Sequence, residues 1–108
     1  MFASLFNHTK FLTMYSVLTP QMNFISFTND PTIDNVLSFI YKSWKKHTSS
    51  ESFQDWCNEL NESGEYESQF TVADAIDNLA SEFSLYINRK PVDASDLYKM
   101  ICNKYANK

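Results

Sequence analysis

After residue 30, apolar residues recur at helical spacing; before it they crowd together without that period. Ile33, Val36, Leu37, Ile40 and Trp44 share one helical face. Asp30 suits the cap of that helix and Pro31 its first position, where a missing N–H costs nothing. Lys42, Lys45, Lys46 and His47 then fall in its last turn, beside the negative end of the helix dipole. Phe53, Trp56, Cys57 and Leu60 predict a second helix from Ser49 or Ser50 to Ser63, with Gly64 as the left-handed residue that ends it. Thr71 and Asp74 resemble a capping box ahead of Val72, Ile76, Leu79, Ala80, Phe83 and Ile87, so a third helix is expected to run to Asn88, before Pro91. Asp93 or Ser95 caps a fourth, with Leu97, Met100, Ile101 and Tyr105 on its apolar side.

The first 28 residues follow another rule. Phe11 to Thr19 and Met22 to Thr28 are rich in aromatic and β-branched residues and flank Pro20 and Gln21, which predicts a hairpin. The turn lacks the Asn-Gly or Asp-Gly pair that most favours one. Phe2, Leu5 and Phe6 suit the start of a short helix. The expected fold is therefore mainly α, with α+β as the alternative: about four helices and an N-terminal hairpin in one domain, residues 1–108. Ser63 to Ser68 reads as the exposed loop.

Composition removes several functions. A chain of 108 residues suits one core, and its 44% hydrophobic content is enough to fold. A single glycine argues against phosphate-cradling loops and dinucleotide folds. Cys57, Cys102, His8 and His47 match no metal-ligand spacing, so no metal and no cofactor is expected. No apolar run reaches the ~18 residues of a membrane helix, and the arginine-free N-terminal segment is unlike a transit peptide. A soluble cytoplasmic protein with two free thiols is the expectation.

Charge is segregated. Glu51, Asp55, Glu59, Glu62, Glu65, Glu67, Asp74, Asp77 and Glu82 lie between Lys46 and Arg89 with no basic residue among them. That stretch carries −9 and its flanks +2 and +3, for a net −4. Such separation costs self-repulsion and gains attraction for a cationic surface. Glu51, Asp55, Glu59 and Glu62, spaced four, four and three apart, predict an acidic ridge along the second helix, which Asp74, Asp77 and Glu82 extend. A solvated face on an acidic protein accounts for the same residues without a partner. Nucleic-acid mimicry is limited, because one acid per helical turn gives a charge every ~6 Å, against one per ~1.7 Å of duplex axis.

Competing chemistry is weaker. Tyr41, Lys42, Trp44, Lys45, Lys46 and His47 interleave aromatic and basic groups as a nucleic-acid patch does. Trp44 is already a core position, and the acidic run repels phosphate. A Cys57–His47 dyad would need an activated thiol, whereas Cys57 shares the apolar face of Phe53 and Leu60. The sequence reading is a non-enzymatic binding protein that inhibits or neutralises a basic protein, a nuclease or another nucleic-acid-binding effector, by occluding its cationic groove. Phage inhibitors of CRISPR or restriction systems and toxin-immunity proteins are compatible classes. Direct binding of nucleic acid or of a membrane is not expected. The partner-binding residues are the nine acids above with Tyr66 as an aromatic contact. The alternative is a structural or adaptor subunit that uses apolar contacts.

Overall fold

Thr32 begins the first helix. In a computed structural model that describes residues 13–28, 31–67 and 69–106, Thr32 Oγ1 accepts the Asn35 N–H at 3.1 Å. Helix α1 follows, Ile33–Thr48. The expected cap Asp30 lies outside the described residues, and Pro31 stands before the cap rather than in the first turn. A threonine hydroxyl three residues from the N–H it accepts is the ordinary cap geometry, and it outcompetes the proline position. Ser49, left-handed at φ 59°, closes α1 through backbone bonds to Lys45 and Lys46.

Helix α2, Phe53–Ser63, is capped by Ser52, two to three residues after the expected Ser49 or Ser50, and ends at Gly64 at φ 72°. Helix α3, Val72–Glu82, carries the full capping box: Thr71 Oγ1 accepts from Asp74 N, and the Asp74 carboxylate accepts from Thr71 N at 2.8 Å.

The third helix stops six residues early. Phe83 turns to extended backbone at φ −114° and ψ 148°, and Ser84–Ile87 forms strand β3. Phe83 and Ile87 fit the helical period of α3, but Phe83, Leu85 and Ile87 also alternate at the period of a strand. Burying Leu85 in the strand stabilises it by roughly 2 kcal/mol, and the helical alternative would turn that side chain away from the core. Pro91, expected to stop the helix, lies in the two-residue edge strand β4, Lys90–Pro91, where a missing donor is harmless.

The N-terminal hairpin forms as expected: β1, Tyr15–Leu18, pairs antiparallel with β2, Phe24–Phe27. Its turn runs from Thr19, with Met22 N donating to Thr19 O at 2.8 Å and Thr19 N to Asn23 O at 2.9 Å. Met22 fills the left-handed position at φ 67° that glycine or asparagine normally takes. Strand β1 also pairs with β3, which makes it a central strand of an antiparallel sheet ordered β2-β1-β3-β4. The fold is α+β.

Helix α4, Ala94–Ile101, and a π-helical turn, Cys102–Ala106, are the last of the described elements. Asp93 stands at the cap of α4 but makes no side-chain cap bond. Side chains from all four helices meet Val17 and Leu85 in one buried cluster around Trp44. The helices therefore cover one face of the sheet, the face of Tyr15, Val17, Phe27, Leu85 and Ile87. Ser16, Leu18, Phe24, Ser26, Ser84 and Tyr86 point to the other.

Candidate functional site

Asn61 organises the acidic region. Its side chain brackets Phe70, accepting from Phe70 N at 2.7 Å and donating to Phe70 O at 3.1 Å. This pins the far end of the loop that leaves α2 at Gly64. The Phe70 ring sits edge-on to Trp56, with centroids 5.6 Å apart, and Tyr66 sits edge-on to Phe70 at 5.0 Å. Each contact is a favoured aromatic geometry. Tyr66 is 52% exposed and lies between the exposed side chains of Glu65 and Glu67. An aromatic ring is thus presented at the surface with an exposed glutamate on either side of it in the chain.

The remaining acids have divided roles. Glu51 precedes α2, so the expected four-residue ridge loses its first member to the chain before the helix. The late helix start explains this: Ser52 Oγ takes the Asp55 N–H at 3.0 Å, and Asp55 Oδ2 accepts the Glu51 N–H at 3.0 Å. Asp55 is a half-buried capping group. Glu59 and Glu62 stay exposed on the side of α2 opposite Phe53 and Cys57. Asp74 is committed to its capping box. Asp77 is exposed on α3, and both it and Asp74 bear electrostatically on the Tyr98 phenol of α4. Glu82 stands apart, with Oε2 4.0 Å from His47 Nε2 at the end of α1.

Two residues of the other sequence readings, His47 and Lys45, have partners within the fold. His47 Nδ1 lies 3.1 Å from Gln21 Nε2 in the hairpin turn, so its two ring nitrogens face Gln21 and Glu82. Burial pushes the Cys57 thiol up, and the charge of Asp74 adds to the rise. That is the opposite of thiol activation. Lys45 Nζ lies 4.9 Å above the Tyr41 ring. Cys57 and Cys102 are free thiols. Among the described residues no cluster of three metal-binding side chains occurs, and no helix is long and apolar enough to cross a membrane.

A second surface escaped the sequence reading. A groove of about 850 Å³ lies at the end of the sheet where β1 begins and β2 ends, lined by Met14, Ser16, Phe24, Ser26, Tyr86 and Arg89 on the open side and reaching Tyr15, Phe27 and Pro31 at its margin. The rings of Phe24 and Tyr86 meet across β1 at 5.1 Å. Treating residues 83–88 as helix placed Tyr86 and Arg89 elsewhere. The available signal was the alternation through Phe83, Leu85 and Ile87, followed by Asn88 and Arg89 as a two-residue turn.

No protein-family model, curated protein or solved structure matches this chain.

Proposed function

We propose that the chain is a small, non-catalytic binding protein that inhibits a basic, nucleic-acid-processing protein by docking on its cationic groove. The observation that carries this reading is Tyr66, exposed between Glu65 and Glu67 and held there by Phe70 and Asn61. An exposed aromatic braced by a second ring and flanked in the chain by acids suits an interface contact: the ring supplies apolar contact, and the acids steer and orient a basic partner. Glu59 and Glu62, exposed on the adjoining helix, widen the negative field. The acids act at long range and the tyrosine at contact, so they affect different rates. Anti-CRISPR, anti-restriction and toxin-immunity proteins are the classes this chemistry fits.

The test is capture from native lysate at low and high salt by the parent chain and two variants, Glu59→Lys with Glu62→Lys, and Tyr66→Ala. These positions lie outside the helix caps, so the variants keep the fold. The reading expects a nuclease or other nucleic-acid-processing protein to be held by the parent, released by salt, lost from both variants, and inhibited by the purified parent. Equal capture by parent and variants sinks it. The exposed Met14 and Phe24 favour the second reading, a structural or adaptor subunit, which expects salt-resistant capture of a neutral assembly.

A further inference from the structure

The open face of the sheet is chemically unlike a solvated one. The solvent side of an antiparallel sheet ordinarily alternates with polar and charged residues. Here the strand positions on that side are Ser16, Leu18, Phe24, Ser26, Ser84, Tyr86 and Pro91, with no charge among them. Among the described residues four large apolar side chains are markedly exposed, and three belong to the hairpin: Met14 at 53%, Met22 at 75% and Phe24 at 58%. Met14 and Phe24 line the groove directly. No described helix packs on this side.

We infer that this face is the interface of a homodimer, in which two sheets pack face to face about a two-fold axis and the Phe24–Tyr86 ridge of each copy enters the serine-floored groove of the other. Three observations select a second copy as the occupant. First, the surface is self-complementary: paired rings stand beside the small side chains of Ser16 and Ser26, so it offers both a ridge and a hollow. A two-fold contact needs the same patch to supply both. Second, charge permits it. The net charge of −4 resists association in general, but Glu59, Glu62, Asp74 and Asp77 lie in the helix layer on the far side of the sheet, and among the described residues the one charged side chain lining the groove is Arg89. Packing open face to open face keeps the acidic surfaces apart, and a basic partner finds no carboxylate among the described residues that line the groove.

Third, the area suits a reversible dimer. Four short strands cover on the order of 20 Å by 15 Å, which with the exposed side chains buries roughly 500 Å² per copy, below the ~800 Å² of a standard interface. An interface of that size is a weak, transient one, so the dimer is expected to appear only toward the upper end of the micromolar range. Stacked sheets about 10 Å apart leave the helix layers outside, so the dimer carries its two acidic surfaces facing away from each other.

Sedimentation velocity on the full chain from about 1 µM to about 1 mM tests this directly. The parent moves from monomer to dimer over that range. Ser26→Lys, on an exposed position pointing away from the helices, stays monomeric at every concentration and keeps the parent's thermal midpoint, and Ser16→Lys does the same. Ser26→Pro separates the face from the edge of β2. The hydrogen-bonded pairing of Thr19 with Asn23 fixes the alternation so that Ser26 N–H points away from β1. Proline there removes an edge donor and leaves the face largely intact, so this variant still dimerises. A parent that is monomeric throughout overturns the inference, as does a dimer that survives Ser26→Lys or one lost only in Ser26→Pro.

Discussion

The indole Nε1–H of Trp44 donates to Asn78 Oδ1 at 3.0 Å, joining α1 to α3 through a fully buried ring. Trp44 is also in ring contact with Phe53 and Trp56 of α2, so three helices converge on it. Asn78→Ala removes the acceptor and leaves a buried donor unpaired. The expected loss is about 1 to 3 kcal/mol of unfolding free energy, read by urea titration of the tryptophan fluorescence. A loss below about 0.5 kcal/mol would mean that the indole proton finds another acceptor.

Two turns carry residues in conformations that favour glycine. Asn88 at φ 52° and Arg89 at φ 70° join β3 to β4 in the left-handed pair of a two-residue hairpin, and Met22 at φ 67° closes the first hairpin. A side chain other than asparagine there costs about 1 kcal/mol, partly offset by the larger entropy of glycine in the unfolded chain. Arg89→Gly and Met22→Asn are each expected to raise stability by about 0.5 kcal/mol. A fall in the denaturation midpoint of Arg89→Gly would show that its side chain supports the fold.

The acids separate into structural and free groups. Asp74→Ala removes half of a capping box and is expected to cost about 1 kcal/mol. Glu59→Lys with Glu62→Lys is expected to change stability by no more than about 0.5 kcal/mol, because exposed charges contribute little. Comparing the two denaturation midpoints checks this. Equal losses would place Glu59 or Glu62 in the fold rather than in a binding surface.

Stability is expected to fall on the alkaline side. Burial raises Cys57 and Tyr41, a hydrogen bond with Cys102 raises Tyr98, and the hydrogen bond with Asp34 raises Lys104. In each case the folded value exceeds the unfolded one, so the contribution is complete below the unfolded pKa and is lost as pH rises through the folded pKa. For thiols, phenols and lysine that window opens above about pH 8.5 to 10.4. Denaturation midpoints should hold level from pH 7 to about pH 8 and decline above it. Tyr41→Phe removes one titrating group and should make the decline shallower; an unchanged slope would exclude Tyr41 from it.

Legibility followed the range of the interactions. Thr71 and Asp74, Gly64 and the apolar faces of α1 and α2 were readable because caps and amphipathic spacing operate within four residues. Thr32 and Ser52 were misplaced by a few residues because Asp30, Pro31, Ser49 and Ser50 offered equally good local chemistry. Of the candidate site, the inventory of acids and the choice of Tyr66 came from residue types. Their division into caps, free carboxylates and the isolated Glu82 depended on where each helix begins and what packs beside it.

By itself the chain determined four amphipathic helices, an N-terminal hairpin and a block of negative charge, since these follow from side-chain spacing and composition. Tertiary structure decided the rest. Residues 84–87 became a strand because β1 offered Leu85 and its neighbours a backbone ladder and a buried side, a choice no local window contains. That pairing made two hairpins into one sheet, gave it a helix-covered face and an uncharged open one, and thereby set Phe24 beside Tyr86. Tyr66 became a presented ring for the same reason: Phe70 and Trp56, distant enough in sequence to be unconnected, meet only once α2 has packed on α3.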